Sequence, residues 1–293
     1  MDKICKLFGK TRSAYYQSIN KYERQSIKDD IILQEVLKIR TSLPKVGTRK
    51  LQYMLQERLA THKISIGRDY LFDLLDSQKM LIRQRKRKAY TTDSRAWRGQ
   101  YLDLYNGVKV IRPEQFWVSD ITYIRLNNAW GYLSLITDAY SHKIMGYSFN
   151  LDLTTKGCLK ALTMALKNRM YTEKLIHHSD RGCQYCSATY TQLLIDNDIS
   201  ISTTQSGEPR DNAVAERVNG IIKGEFNLNY SSLGYQKTKE KIGNSIEAYN
   251  QIRPHDSCDR LTPNQAHLKT GVLPKRWKNY YKNKTEKKEL VQQ

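Results

Sequence analysis

The stretch FWVSDITYI, residues 116–124, decides how this chain folds. It is rich in aromatic and β-branched residues, which favour extended structure. Side chains alternate along a strand, so every second one lies on the same face. That face would carry Phe116, Val118, Asp120, Thr122 and Ile124. A carboxylate on such a face needs a cation or strong hydrogen bonds. The stretch therefore predicts a strand that carries a functional acid.

Further strands and helices follow this strand in the order βββαβαβα. Apolar and β-branched runs predict the other four strands at residues 130–137, 143–149, 175–179 and 199–202. Helical spacing predicts helices at residues 155–170 and 187–197 and a long helix from about residue 211. This order predicts a ribonuclease-H-like α/β fold, a mixed sheet flanked by helices.

The segment before this sheet is predicted to be helical. Residues 28–82 contain apolar stripes that indicate three short helices, with Thr48 as the cap of the second. Three short helices in a basic segment fit a small all-α, helix-turn-helix-like domain, in which Arg49 would contact DNA. A plain helical bundle that serves oligomer contacts fits the same pattern.

Charge divides the chain into basic flanks and a neutral middle. Residues 1–115 carry 25 Lys and Arg against 12 Asp and Glu, residues 116–230 carry 11 against 11, and residues 231–293 carry 13 against 6. We expect a helical DNA-binding region at 1–82, a basic linker at 83–112, a catalytic core at 113–270 and a Lys-rich tail at 271–293. Basic flanks indicate a polyanion partner, although solvated lysines alone would give the same charge.

The strongest run of positive charge is RQRKRK, residues 83–88. Such a run cannot pack in a core, so it is either a solvated linker or an arm that lies along DNA phosphates. Its candidate DNA-binding residues are Arg83, Arg85, Lys86, Arg87 and Lys88.

Two more acids complete a catalytic set with Asp120. Asp180 closes a predicted strand, at the edge where open sheets place ligands. Three glutamates compete for the last position. Glu208 precedes Pro209, before the helix, and Glu225 lies two and a half turns beyond Glu216 and so on the opposite face. Glu216 is therefore selected, with Lys223 two turns later on the same face.

Three carboxylates from two strands and a helix can hold two divalent cations, and oxygen ligands favour Mg²⁺ or Mn²⁺. A zinc site is the alternative. Cys183 and Cys186 have CxxC spacing, with His177 or His178 upstream and His255 and Cys258 elsewhere. No second close ligand pair accompanies them, so we expect unligated thiols.

The intervals and the surrounding words resemble a known family. Asp120 and Asp180 are separated by 59 residues, and Asp180 and Glu216 by 35. This spacing resembles the DD(35)E signature of integrases and of insertion-sequence transposases. Several short segments resemble the insertion-sequence group that moves by copy-out–paste-in: residues 117–124, 178–182, 211–213, 253–255 and 262–263. The resemblance covers roughly residues 31–270.

The resemblance implies a transposase that cleaves DNA ends and then transfers the freed 3′-hydroxyl to a target. It also implies a homo-oligomer on DNA, Lys223 as the family's basic residue, and the upstream-frame product of the same element as a further partner. A catalytically silent DNA-binding regulator and a ribonuclease H are the alternatives. The 35-residue interval and the basic flanks disfavour the ribonuclease.

Apolar runs are too short to cross a bilayer, and residues 1–9 lack the apolar stretch of a secretory signal. Five cysteines without such a signal favour reduced thiols. We therefore expect a cytoplasmic, nucleoid-associated protein without a membrane partner.

Overall fold

The computed structural model describes residues 1–83, 101–105, 107–204 and 212–277. The chain folds into two units, Met1–Lys88 and Ala89–Gln293. The helices of the first unit are α1 (Asp2–Leu7), α2 (Arg12–Ser42), α3 (Thr48–Ala60) and α4 (Arg68–Ser77). The predicted all-α segment before the sheet is confirmed.

Helix α2 is 31 residues long, so the prediction of three short helices is wrong for the first of them. The Thr11 hydroxyl caps its start by accepting a hydrogen bond from the Ala14 N–H at 3.1 Å. No Gly or Pro interrupts the helix, and its first half is polar. Apolar periodicity therefore missed that half, because a polar helix buries no stripe. Its buried side chains lie in the second half: Ile32, Glu35, Val36 and Ile39.

Helices α3 and α4 bury the leucines that predicted them. The buried leucines are Leu51, Leu55 and Leu59 in α3 and Leu71, Leu74 and Leu75 in α4. The expected cap at Thr48 is wrong, because Gly47 is the N-cap and Thr48 is the first helical residue. A side chain caps a helix from the residue before its first turn, and Thr48 is already the first helical residue and is buried.

The second unit is built on one five-stranded sheet. Its strands are β1 (Phe116–Arg125), β2 (Trp130–Asp138), β3 (Ile144–Asn150), β4 (Leu175–Ser179) and β5 (Ile199–Thr203). Their order across the sheet is β3-β2-β1-β4-β5. The meander from β1 to β3 is antiparallel, whereas β4 is parallel to β1 and β5 is parallel to β4. This is the predicted ribonuclease-H-like sheet.

Helices cover both faces of the sheet. On one face, Trp117 joins a core with α5 (Thr155–Lys167) and α6 (Ala188–Ile195). On the other face, Phe116 and Val118 pack with Ala215 of α7 (Ala213–Glu225). Asp120 has the same parity as Phe116 and Val118, so it points to the side of α7.

The chain then continues through α8 (Tyr235–Gln251), a 3₁₀ turn (Asp256–Cys258) and α9 (Pro263–Ala266). The buried Arg253 guanidinium binds both carboxylate oxygens of Glu225, at 2.7 and 2.8 Å. This pair ties the segment after α8 to the end of α7. Among the helices of the described ranges, none is both long enough and apolar enough to cross a bilayer.

Candidate active site

Asp120 lies in the middle of β1, where two N–H donors hold its carboxylate. Its Oδ1 accepts a hydrogen bond from the Ile121 backbone N–H at 2.8 Å. Its Oδ2 accepts one from the Asn219 side-chain amide at 2.7 Å. Both donors favour the charged form and fix the orientation of the carboxylate. The acid that the sequence placed on a strand is therefore fastened to α7 as well.

Asp180 follows directly after β4, which pairs with β1 in parallel. Ser119 and Ser179 are partners in this pairing, and Asp120 and Asp180 are the residues that directly follow them. The Gly182 N–H donates to Asp180 Oδ1 at 3.1 Å. A Cβ at Gly182 would lie 3.0 Å from that oxygen, so a larger residue there would press on the Asp180 carboxylate.

Glu216 stands in the first turn of α7, and its side chain is exposed. The start of this helix is tied to β1, because the Asn212 side-chain amide donates to the Ser119 carbonyl at 2.9 Å. Asn219, one turn after Glu216, reaches Asp120. The helix therefore brings Glu216 to the strand ends that carry the two aspartates.

The three acids influence one another electrostatically. Burial, the nearby charge of Asp180 and, more weakly, that of Glu216 raise the pKa of Asp120 to about 7, against the hydrogen bonds from Asn219 and Ile121. Partial enclosure also raises the pKa of Asp180, although its side chain is exposed, and that of Glu216. Burial therefore disfavours the charged form of each of the three acids, and Asp120 is in addition repelled by the other two.

The spacing of the acids leaves room between them. Within the described residues, one set of three His, Cys, Asp or Glu side chains has ligand atoms that all lie within 4.8 Å of one another. That set is His142, His255 and Cys258, and it includes none of the three acids. At least one pair among the carboxylates of Asp120, Asp180 and Glu216 is therefore farther apart.

A buried hydrogen-bond chain supports the strand ends from the opposite face of the sheet. Nε2 of His177 lies 2.7 Å from the Ser119 hydroxyl and 3.0 Å from the Tyr190 hydroxyl. Burial lowers the pKa of His177 to about 3, so its imidazole is neutral at neutral pH. Through Nε2 of His177, the chain links β4 to Ser119 of β1 and to Tyr190 of α6 beside the acids.

The two glutamates that competed with Glu216, and the alternative zinc ligands, do not join the three acids in the described part of the chain. Glu225 binds Arg253, as expected for a residue on another face of α7, while Glu208 lies outside the described residues. Cys183 is exposed and Cys186 half-buried, and they form no three-ligand cluster within the described ranges. His177 and His178 instead contact Ser119 and Ser202.

The predicted DNA-binding residues are distributed over both units. Lys223 is half-buried near the end of α7, and Arg49 is exposed on α3. Arg83 is exposed and pairs with Asp76 at 2.8 Å. Residues Arg85, Lys86, Arg87 and Lys88 lie outside the described residues.

Asn219 is not among the site residues predicted from the sequence. The signal was available, because Asn219 follows Glu216 by three residues and so shares its helix face. Asn212 belongs to a segment that carries the family resemblance, but its hydrogen bond to Ser119 is formed only in the folded chain.

Comparison with known proteins gives consistent matches. Two family profiles, both described as an integrase core domain, match residues 111–209 and 197–263. The 31 kDa protein of insertion element IS600 from Shigella sonnei is 32% identical over 265 residues, which are 89% of this chain and 96% of that protein. The transposase InsF of insertion sequence IS3A from Escherichia coli (strain K12) is 34% identical over 154 residues. That match covers 52% of this chain and about half, 54%, of InsF.

A solved structure is also similar. The catalytic core domain of HTLV-2 integrase, in complex with magnesium and in its trimeric form, has 20% sequence identity and a TM-score of 0.44. The match covers 54% of this chain and 99% of the HTLV-2 chain.

Proposed function

This chain belongs to the insertion-sequence transposases with an integrase core domain, and we propose that Asp120, Asp180 and Glu216 are its catalytic carboxylates. In this proposal they serve the cleavage of element ends and the transfer of the freed strand to target DNA. The observation that carries it is the arrangement of the acids: Asp120 and Asp180 follow paired positions of two parallel strands, and α7, which carries Glu216, is hydrogen-bonded to β1 and to Asp120.

The donor set of the site fits divalent cations. Carboxylate oxygens are the ligands that Mg²⁺ and Mn²⁺ prefer, and a cation would offset both the burial and the repulsion that raise the pKa of Asp120. Asp120, Asp180 and Glu216 would hold the ions. Two such ions would supply positive charge beside the attacking and the leaving oxygens of a phosphodiester.

The remaining residues of the site orient the acids and the DNA. Asn219 fixes Asp120 by its 2.7 Å hydrogen bond, and Asn212 fastens the start of α7 to β1. Lys223 lies two turns from Glu216 on the same helix face. An ammonium repels a cation but attracts a phosphate, so we assign Lys223 to positioning DNA.

The basic flanks complete the proposal. Arg49, Arg83 and the run at residues 85–88 would contact DNA phosphates, with residues 1–82 as a helix-turn-helix-like binding region. We also propose assembly as a homo-oligomer on element ends, joined by the upstream-frame product of the same element. Such an enzyme would act at the bacterial nucleoid, in the cytoplasm.

The test uses the full chain, Mn²⁺ or Mg²⁺, and duplexes that carry the inverted repeats flanking the gene. Asp120→Asn, Asp180→Asn and Glu216→Gln should each reduce end cleavage and strand transfer to background while DNA binding persists. Asp196→Asn, a change of an exposed carboxylate after α6, is the matched control and should keep activity. Lys223→Ala should weaken binding of end DNA without lowering the affinity for Mn²⁺.

Metal-dependent cleavage by one of the three variants would remove that residue from the set. Binding of end DNA by the wild-type chain without any cleavage would instead favour the silent DNA-binding regulator. Preference for an RNA–DNA hybrid over duplex DNA would favour a ribonuclease H.

A further inference from the structure

A second group of ligand-type side chains lies away from the carboxylates. His142 occupies the turn between β2 and β3, while His255 and Cys258 come from the segment after α8. One ligand atom from each of the three lies within 4.8 Å of the other two. We propose that His142, His255 and Cys258 form a binding site for a thiophilic divalent cation, Zn²⁺ in particular.

The backbone holds these three residues in place. His142 adopts a left-handed conformation, with φ at 60°, and its N–H donates to the Asp138 carbonyl at 2.9 Å. The Tyr249 hydroxyl donates to the His142 carbonyl at 3.0 Å. The Cys258 N–H donates to the His255 carbonyl at 2.9 Å. A site whose backbone is already ordered needs only small side-chain movements to receive an ion.

Two imidazoles and a thiol are the donor types that zinc selects in proteins. Cys258 is fully buried, and His255 is 5% exposed. Nδ1 of His142 is enclosed and makes no hydrogen bond with the described residues. A buried nitrogen in this condition costs free energy, which an ion at the site would recover. Burial without a hydrogen-bond partner is therefore unfavourable for this nitrogen in the metal-free protein and favourable once it binds an ion.

The protonation states suit this chemistry. Burial lowers the pKa of His142 to about 4, so its imidazole is neutral at pH 7 with a lone pair to donate. Burial raises the pKa of Cys258 to about 12, and its sulfur lies 3.6 Å from the carbonyls of Tyr140 and Ser141. Ligation would displace the thiol proton to solvent, leaving a thiolate bonded to the cation.

The local charges also permit a dication. The buried Asp138 carboxylate raises the pKa of His142, which reports its negative charge nearby. Arg253 acts in the opposite direction, but Glu225 already binds its guanidinium through both carboxylate oxygens. Lys275 and Arg217 add weaker positive influences. The thiolate would supply one negative charge to the ion, and Asp138, which also lies 3.7 Å from Nδ1 of His267, would add a further negative influence nearby.

Binding would change one feature of the cluster. The rings of His142 and His255 are stacked, with centroids 4.4 Å apart and planes 7° apart. Lone pairs in parallel planes do not converge on one point, so one ring would tilt as the ion enters. The bound ion would then fasten the segment after α8 to the β2–β3 turn, and a water molecule would fill its fourth position.

The experiment uses Co²⁺ as a spectroscopic substitute for Zn²⁺ on the full chain carrying Asp120→Asn and Asp180→Asn, which weakens the carboxylate site. Titration with Co²⁺ should produce a thiolate-to-cobalt charge-transfer band that saturates at a single ion per chain, and Zn²⁺ should abolish the band. Cys258→Ser should lose the band. The matched control, Cys183→Ser with Cys186→Ser, should keep it, because these thiols belong to another part of the fold.

His142→Gln provides a second variant that retains every cysteine, so it decides the outcome if Cys258→Ser does not fold. It should weaken Zn²⁺ binding at least tenfold in competition with a chromophoric chelator, with an unchanged far-ultraviolet circular dichroism spectrum. The absence of a thiolate band in the parent chain would overturn the proposal. A band that survives Cys258→Ser, or one that disappears in the Cys183 and Cys186 control, would overturn it as well.

Discussion

Asp120 is a residue whose environment opposes its own charge. Burial and the neighbouring acids raise its pKa from 3.8 to about 7. A raised pKa in the folded state means that the protonated form is favoured on folding. The protonated carboxyl of Asp120 therefore stabilises the folded state below pH 4, and this stabilisation is lost as the pH rises towards 7. The metal-free protein carries this cost at neutral pH.

Asp120→Asn should accordingly stabilise the metal-free protein. At pH 8 with a chelator present, we expect its free energy of unfolding to exceed that of the wild type by about 2–4 kcal/mol, in proportion to the pKa shift. At pH 4 the two proteins should be nearly equal. Urea unfolding at both pH values measures this difference. Equal stability at pH 8 would mean that neither burial nor the neighbouring acids disfavour the charge of Asp120 in the folded chain.

Asn219 gives a second prediction for a single side chain. Asn219→Ala removes the 2.7 Å hydrogen bond to Asp120 and should lower Mn²⁺ affinity or cleavage about 10–100-fold. The lost donor also lets the pKa of Asp120 rise, so the acid limb of the pH–rate profile should move to higher pH. Asn244→Ala, on the exposed face of α8, is the control. An unshifted profile would show that Asn219 only fills space.

At the scale of elements, β3 and α5 approach each other more closely than ordinary side chains allow. A Cβ added to Gly146 would lie 2.1 Å from the Ala161 carbonyl oxygen and 2.7 Å from the Ala165 nitrogen, both backbone atoms of α5. Neither can move without shifting the helix. This contact sets the depth at which α5 sits on the sheet.

Gly146→Ala should therefore destabilise the protein by about 1–3 kcal/mol or more, as expected for overpacking against backbone. Gly234→Ala is the matched control, because a Cβ there meets nothing within 4 Å. Its expected cost is below about 1 kcal/mol, the effect of losing glycine at a helix N-cap. Denaturant unfolding of both variants checks the contrast, and similar midpoints would contradict the close packing.

The elements also explain what the sequence could and could not predict. Strand β1 was predictable to within one residue because its first half is buried on both faces and its end alternates between buried and exposed positions, which selects aromatic and β-branched residues. The first half of α2 was not, because a polar helix leaves no apolar period to detect. In the site, the spacing of Asp120, Asp180 and Glu216 is visible in the sequence. The hydrogen bond from Asn219 depends on the packing of α7 against β1 and so required coordinates.

At the scale of the whole molecule, the excess positive charge and the three acids of the candidate site lie in different segments of the chain. The segment with the acids is neutral, while the flanks hold the excess of Lys and Arg. Binding of DNA through such flanks releases counterions, so the affinity should fall steeply with salt.

Replacing Arg85, Lys86, Arg87 and Lys88 by Gln in the full chain should flatten the slope of log K against log salt. Each lost phosphate contact lowers the slope by about 0.9 for duplex DNA. The control replaces four exposed lysines of the second unit, Lys156, Lys160, Lys167 and Lys174. We expect this control to leave the slope nearly unchanged. A slope equally insensitive to both sets would indicate that residues 85–88 are a solvated linker.

Parallel pairing of β1 with β4 makes the direction of protein synthesis matter. Strands β1 to β3 are joined by short turns, so their meander can form once residue 150 has left the ribosome. Asp180 reaches its place only after α5 has been made, and Glu216 arrives later still with α7. A chain whose translation stops before residue 213 therefore lacks a third of its acidic set. If Asp120, Asp180 and Glu216 act together as proposed, we expect such fragments to leave the chromosome of the host uncut.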